Sequence, residues 1–175
     1  MITKKIKAGS IYAIPLFLPG SGKDGDMKEN TVSYSKQNFK EKGQEFAFCR
    51  IIEDLGASGI LIEVFDVLGR LDTDPQIIIS SGRLFSPVLV FGLGIRKKRW
   101  KLVSDKLNYD PQRDSNFSEI KIIKGISPFL LELWQNHKLT PISESEAQKY
   151  DKWRILYPTD LEEMIKNKIC FTPSS

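Results

Sequence analysis

The chain has 175 residues, a hydrophobic fraction of 41% and a formal net charge of +4 at pH 7. That hydrophobic fraction excludes a wholly disordered chain, and it suffices for one core without disulfides or metals. The charge is the balance of 26 basic against 22 acidic residues, a mixed surface that does not by itself indicate nucleic-acid binding.

The beginning of the chain, MITKKIK, lacks the apolar stretch of a signal peptide. No apolar run approaches the roughly 18 residues that a membrane helix needs. The two cysteines, Cys49 and Cys170, have neither the spacing of a zinc site nor that of a disulfide framework. We therefore expect a cytoplasmic protein of one domain, residues 1–175, with no membrane contact, no cofactor and no metal.

The first predicted element is a strand at residues 10–17, rich in β-branched and aromatic side chains. Pro15 has no N–H to donate to a neighbouring strand, so the pattern predicts an edge strand or a bulge there. Residues 19–44 then form a long polar excursion, too poor in apolar residues for a core of its own. We expect it to be partly mobile or to hold one short helix near residues 35–42.

The next two elements are strands at residues 45–53 and 59–68, and the short turn between them predicts an antiparallel hairpin. Alternation along the first strand places Phe46, Phe48 and Arg50 on one face and the residues between them on the other. The following stretch stays open: Asp74-Pro75 suits the start of a helix, whereas three isoleucines at residues 77–79 favour a strand.

The remaining strands are predicted from short apolar runs. Strands at residues 87–91 and 100–103 flank a polar tip at 94–98, residues 119–123 form another strand, and residues 129–134 and 139–142 pair about Asn136-His137.

Two helices are indicated by capping boxes, Ser143-x-x-Glu146 and Thr159-x-x-Glu162. In the second, Leu161, Met164 and Ile165 follow the helical period. Because strands follow strands rather than alternating with helices, a parallel sheet is not expected. The predicted fold class is α+β, mostly β: a strongly twisted antiparallel sheet or partial barrel with short C-terminal helices.

No catalytic motif is complete in the sequence. Gly56-Ala57-Ser58-Gly59 lacks the spacing of a hydrolase nucleophile elbow, and Gly22-Lys23 lacks the remainder of a phosphate-binding loop. His137 is the one histidine, and its place beside Asn136 predicts an exposed turn residue rather than half of a Cys-His pair. We expect no enzymatic activity.

The densest basic cluster is Arg96, Lys97, Lys98 and Arg99, followed by Trp100. One interpretation is contact with phosphates or acidic side chains, with Trp100 available for stacking. The other is a solvated hairpin tip followed by a buried tryptophan that anchors the next strand. These four basic residues are the candidate partner-binding site.

Five segments, in order, resemble the bacterial immunity protein 26 family of polymorphic toxin systems. Residues 5–16, KIKAGSIYAIPL, are similar to that family's opening G-D-x-[FY]-A-I-P-L, and residues 46–52, FAFCRII, are similar to its second strand. The other three resemblances are at residues 86–91, residues 99–103, and the Tyr157-Pro158-x-x-Leu161-Glu162 start of a terminal helix. The sequence differs from the family pattern at Cys49, where a glycine is usual, and at Ser10, where an acidic residue is usual.

The resemblance implies a non-enzymatic protein that binds and neutralises a cognate toxin domain. As an alternative, the basic tip at residues 96–99 is compatible with a nucleic-acid-binding β-barrel. Nucleic acid is not the expected partner, because the charge is diffuse and aromatic residues are not interleaved through the cluster. Phosphate contacts would make affinity fall steeply with salt, which separates the two hypotheses.

Overall fold

A computed structural model describes residues 3–22, 27–41, 44–106, 108–126 and 129–171. Within these residues the chain forms ten strands and six helices. The strands are β1 Ile11–Pro15, β2 Phe46–Asp54, β3 Ile60–Val64, β4 Val88–Val90, β5 Lys101–Ser104, β6 Lys121–Ile126, β7 Leu130–Gln135, β8 Lys138–Pro141, β9 Asp151–Lys152 and β10 Ile155–Leu156. The helices are α1 Lys28–Thr31, α2 Pro75–Ser80, α3 Leu93–Arg96, α4 Pro111–Ser115, α5 Glu144–Ala147 and α6 Pro158–Phe171.

The strands form two sheets, with the orders β10-β4-β3-β2-β1-β5 and β8-β7-β6-β9. Most neighbours are antiparallel, but β10 lies parallel to β4 and β9 lies parallel to β6. The predicted class, α+β and mostly β, is confirmed; the sheets are mixed, and the described strands close no barrel. The parallel pairs escaped prediction because β9 and β10 have two residues each, too few to show a period.

Contacts divide the chain into two compact units, one of residues 1–108 and 155–175 and the other of residues 109–154. The first unit contains the six-stranded sheet, and the second contains the four-stranded sheet.

The six-stranded sheet of the first unit has a core on each face. On one face, Cys49 and Ile51 of β2 pack with Leu161 and Ile165 of α6. On the other, Phe46 and Phe48 of β2 pack with buried side chains that include Tyr34, Phe39 and Ile78. The alternation predicted for β2 is confirmed, and the strand is buried along nearly its whole length because both of its faces are covered.

The polar excursion at residues 19–44 supplies part of the second core. Its helix is α1 at Lys28–Thr31 rather than near residues 35–42, where the described residues 35–41 form no helix. Tyr34 and Phe39 are 8% and 9% exposed and pack with Phe46 and Phe48. Scattered apolar residues in a polar segment can therefore cover a sheet that supplies the rest of the core.

Strand β1 is interior, between β2 and β5, so the edge position predicted from Pro15 is wrong. The pairing of β1 with β5 ends at Ala13, and its irregularity lies between Ile11 and Tyr12 rather than at Pro15. Pro15 is thus beyond the reach of the β5 ladder, where its missing N–H removes no hydrogen bond.

The predicted hairpin tip at residues 94–98 is also absent. Strands β4 and β5 lie far apart in the sheet order, with three strands between them, and α3 begins the connection. The stretch left open at residues 77–79 belongs to α2, where Asp74 accepts a hydrogen bond from the Gln76 backbone N–H and Pro75 is the first helical residue. A cap on the helix start outweighs the β-propensity of three isoleucines.

The two capping-box predictions had different outcomes. Ser143 caps α5 by accepting a hydrogen bond from the Glu146 N–H, as predicted. Thr159 is not the cap of α6: the helix begins at Pro158, two residues earlier than a Thr159 cap predicts, and the Asp160 carboxylate accepts a hydrogen bond from the Tyr157 N–H. Thr159 and Glu162 are consequently free for contacts outside the helix.

The second unit is built on the predicted hairpin of β7 and β8 about Asn136-His137. Both turn residues have positive φ, 51° and 62°, as a tight two-residue hairpin turn requires. His137 is exposed, as predicted. The unit's small core contains Phe117, Ile120, Ile122, Ile123 and Trp134.

Candidate functional site

In the first unit, the polar residues 27–41 contact the basic turn at residues 96–101. The Tyr34 N–H donates to the Lys97 carbonyl at 2.8 Å, and the Lys101 ammonium donates to the Tyr34 carbonyl at 2.9 Å. The ring of Phe39 lies 4.9 Å from the same ammonium. These contacts hold residues 27–41 against the turn at residues 96–101, and we call the surface they form the loop surface.

The four basic residues predicted as a partner-binding site have different environments. Arg96 and Lys98 are exposed and Lys97 is half-buried, whereas Arg99 is 2% exposed. Lys98 has a positive φ of 60°, which turns the chain sharply after α3. The loop surface therefore presents three of the four cationic side chains to solvent.

Trp100 is buried beneath α3, with 1% of its surface exposed. Gly94 makes room for it, because a Cβ added there would lie 2.7 Å from the indole ring. Trp100 is thus an anchor for β5, and it is not available for stacking on a base. Of the two interpretations of the basic cluster, this agrees with the buried-anchor one.

Arg99 connects three parts of the first unit. Its Nε donates to Glu162 of α6, 2.9 Å from Oε2, and its Nη2 donates to the Pro19 carbonyl at 2.8 Å. Its Nη1 lies 3.7 Å from Glu29 Oε2, and its guanidinium lies 5.5 Å from the centre of the Tyr34 ring. A buried arginine with these partners fixes the loop surface to α6.

A neutral hydrogen-bond network supports the same junction. Thr159 Oγ1 accepts from the Asn30 side-chain amide at 3.0 Å and lies 2.7 Å from the Ser21 hydroxyl. The Asn30 amide oxygen in turn accepts from the Thr159 backbone N–H at 3.1 Å. Asn30 is buried, 2% exposed, so this pairing satisfies polar groups that would otherwise be costly to bury.

Burial raises the pKa of Glu162 from its ordinary value of 4.5 to about 7. The hydrogen bond from Arg99 and its positive charge lower this pKa, and so does the positive charge of Lys166. The nearby Trp100 indole N–H also lowers it, although this N–H has no partner within hydrogen-bonding geometry. Desolvation is thus the larger effect, even beside a guanidinium.

The described residues contain no cluster of three or more His, Cys, Asp or Glu side chains that could hold a metal ion. Cys49 is a free cysteine with no exposed surface, and burial raises the pKa of its thiol well above the ordinary range. A thiol that is buried and protonated is a poor nucleophile. The side chain of Cys170 lies outside the part of the structure that is described.

Sequence reasoning missed a second buried ionic group. Glu63 of β3 accepts hydrogen bonds from Arg50 Nε and Arg83 Nε, each at 2.8 Å. Arg50 and Glu63 are 4% and 2% exposed. The sequence did indicate that Arg50 is buried, because the alternation of β2 places it on the same face as two buried phenylalanines.

A model of the family described as immunity protein 26 matches residues 7–127, well over half of the chain. The chain belongs to the immunity protein 26 family. No curated protein and no solved structure matches it. Immunity proteins are generally non-enzymatic, and membership of such a family implies a toxin as partner.

The immunity protein 26 match covers the segments on which the resemblance rests at β1, β2, β4 and β5. The resemblance at Tyr157-Pro158 lies beyond the matched range, at the start of α6. In the described part of this family member, no helix has the length and apolarity to cross a membrane.

Proposed function

We propose that the chain is the immunity protein of a bacterial polymorphic toxin system, and that it neutralises its cognate toxin in the cytoplasm by binding the toxin domain without catalysis. The observation that carries the proposal is the family match over residues 7–127. We further propose that the toxin domain binds the loop surface, including Arg96, Lys97 and Lys98.

The organisation of the loop surface supports this role. Its exposed cations lie on a backbone that is anchored from below by Arg99 and Trp100, so little conformational entropy opposes binding. Loops on a rigid scaffold can also vary in sequence without disturbing the core, which suits a protein that must discriminate among related toxins.

The charge of the loop surface indicates the partner's chemistry. Lys36 and Lys40 are exposed on the same loop as Tyr34, within a few residues of the contact with Lys97. The surface is therefore rich in lysine and arginine, and it complements an acidic face on the toxin domain. Long-range attraction of this kind accelerates association more than it increases affinity.

The test uses the toxin domain encoded by the reading frame that adjoins this chain's gene, inactivated in its own active site. We expect one-to-one binding by calorimetry and protection of cells that express the active toxin. Replacing Arg96, Lys97 and Lys98 with Gln should lower the association rate constant by about tenfold at low salt and much less at high salt.

The matched control replaces Lys4, Lys5 and Lys168 with Gln, which removes the same charge from exposed positions of the first unit. Equal effects of the two triple substitutions would refute the loop surface as the binding site. Binding of the wild-type protein to duplex or single-stranded DNA, with a steep salt dependence and no toxin binding, would favour the nucleic-acid alternative instead.

A further inference from the structure

The β6–β7 hairpin of the second unit ends in three large apolar side chains that are exposed. Ile126 is 78% exposed, Phe129 is 91% exposed and Leu130 is 63% exposed. Ile126 and Leu130 are directly opposite each other in the β-ladder, so their side chains share one face of the sheet. We call these three residues the apolar tip.

The apolar tip contrasts with the base of the same hairpin. Ile122 and Trp134, also opposite each other, are 4% and 6% exposed and belong to the unit's core. The three tip residues together expose roughly 400 Å² of apolar surface, a patch size that on a monomer often marks an interaction site. Isolated exposed leucines elsewhere, such as Leu102, need no such explanation.

The backbone conformation of the tip depends on Gly125. Its φ is 115°, and a Cβ added there would lie 1.7 Å from the Leu130 carbonyl oxygen. No other residue permits so close an approach of the two strands. The strand pairing that presents Ile126 beside Leu130 is therefore specified by the sequence.

The size of the patch argues against a second copy of this chain as its occupant. A standard stable interface buries about 800 Å² per partner, about twice what the apolar tip exposes. The tip instead suits one part of a larger interface, in which an aromatic anchor fills a pocket and the surrounding contacts exclude water.

The charges beside the tip argue for a protein partner rather than a lipid surface or nucleic acid. Lys124 is opposite Glu132 two register steps away from the apolar pair, so the two signs balance there. Anionic membranes and nucleic acids are bound by an excess of basic residues. A tip with balanced charges is suited to an apolar pocket.

We propose that the apolar tip inserts into an apolar pocket of the toxin domain, with Phe129 as its central anchor. This inference rests on the proposed function, and it adds a contact that the loop surface does not supply.

The experiment measures binding of the inactivated toxin domain from the adjoining reading frame by calorimetry. We expect Phe129→Ser to weaken binding by about 30-fold or more, as for an anchor residue, and Phe129→Leu to retain most of the affinity. The melting temperature should hardly change, because Phe129 is almost fully exposed. The matched control is Ile77→Ser, at an isoleucine of α2 that is 57% exposed, and it should leave affinity unchanged.

Any of the following three results would overturn the proposal. If the wild-type protein binds the toxin domain and Phe129→Ser binds equally well, the tip is not an anchor and the proposed function stands. If the wild-type protein binds no toxin domain, the proposed function fails and the tip's assignment fails with it. Self-association in sedimentation, or flotation with phosphatidylserine vesicles, abolished in either case by Phe129→Ser, would assign the tip to a different occupant.

Discussion

Glu162 has an environment that opposes its own ionisation. Burial raises the pKa of this carboxyl to about 7, although Arg99 is hydrogen-bonded to it. In the unfolded chain the same group has an ordinary pKa near 4.5. Between these two values the folded protein binds more protons than the unfolded chain, so the free energy of unfolding falls as pH rises.

We therefore predict a decline in stability between about pH 4.5 and pH 7 that Glu162 causes. The shift corresponds to about 3 kcal/mol once the group is fully ionised. Glu162→Gln removes the titration, so the stability of wild type relative to this variant should fall by up to about that amount from pH 5 to pH 8, whatever the pH-independent effect of leaving Arg99 without its carboxylate. Urea unfolding at several pH values measures the difference, and Glu163→Gln, at the exposed neighbour on α6, controls for the loss of one carboxylate. A wild-type profile parallel to that of Glu162→Gln would show that the pKa is not raised.

The environment of a single residue was predictable where apolar side chains alternate between the two faces of a strand. The alternation of β2 correctly separated Phe46 and Phe48 from Cys49 and Ile51. The burial of Arg99 was not predictable, because it depends on Glu162, which is 63 residues away in the sequence. The basic cluster therefore looked uniform in the sequence, although one of its four members has a structural role.

At the scale of elements, the segment at residues 27–41 acts as a cover for one face of the six-stranded sheet. Phe39 packs edge-on against Phe17, with the ring centres 5.5 Å apart, and it also contacts Phe46 and Tyr34. The segment has little regular structure, so these ring contacts, together with the hydrogen bonds of Asn30 and Tyr34, attach it to the rest of the first unit.

Phe39→Ala should cost about 3 kcal/mol of stability, within the usual range for removing a buried phenylalanine. It should also increase protease cleavage within residues 27–41 before the sheet itself unfolds. Lys40→Ala, at the exposed neighbouring position, is the control and should change stability by less than about 0.5 kcal/mol. Equal cleavage of the Phe39→Ala and wild-type proteins would mean that other contacts hold the segment.

Elements formed by neighbouring parts of the chain were the predictable ones. The β2–β3 and β7–β8 hairpins follow from two apolar runs and a turn between them. The pairings of β1 with β5 and of β4 with β10 join segments far apart in the sequence, and no local pattern records them. The assumption that consecutive strands pair produced the erroneous hairpin between β4 and β5.

At the scale of the whole molecule, we propose that the chain behaves as a single domain in unfolding, although its contacts define two compact units. The second unit, residues 109–154, is short enough that a hydrophobic core alone is marginal without disulfides or metals. We predict one calorimetric transition, with the calorimetric and van't Hoff enthalpies equal. Two resolved transitions, or a ratio well above one, would contradict this prediction and identify the second unit as an independent domain.

The order of the strands has a consequence for biosynthesis. The ribosome makes the second unit before β10 and α6, yet β10 pairs with β4, and α6 supplies Leu161 and Ile165 to a core of the first unit. A nascent chain that has reached residue 154 therefore still exposes the apolar face that α6 will cover, together with the unpaired edge of β4. Such a chain is open to aggregation and to chaperone binding, and any function that needs the folded first unit must wait until α6 has left the exit tunnel.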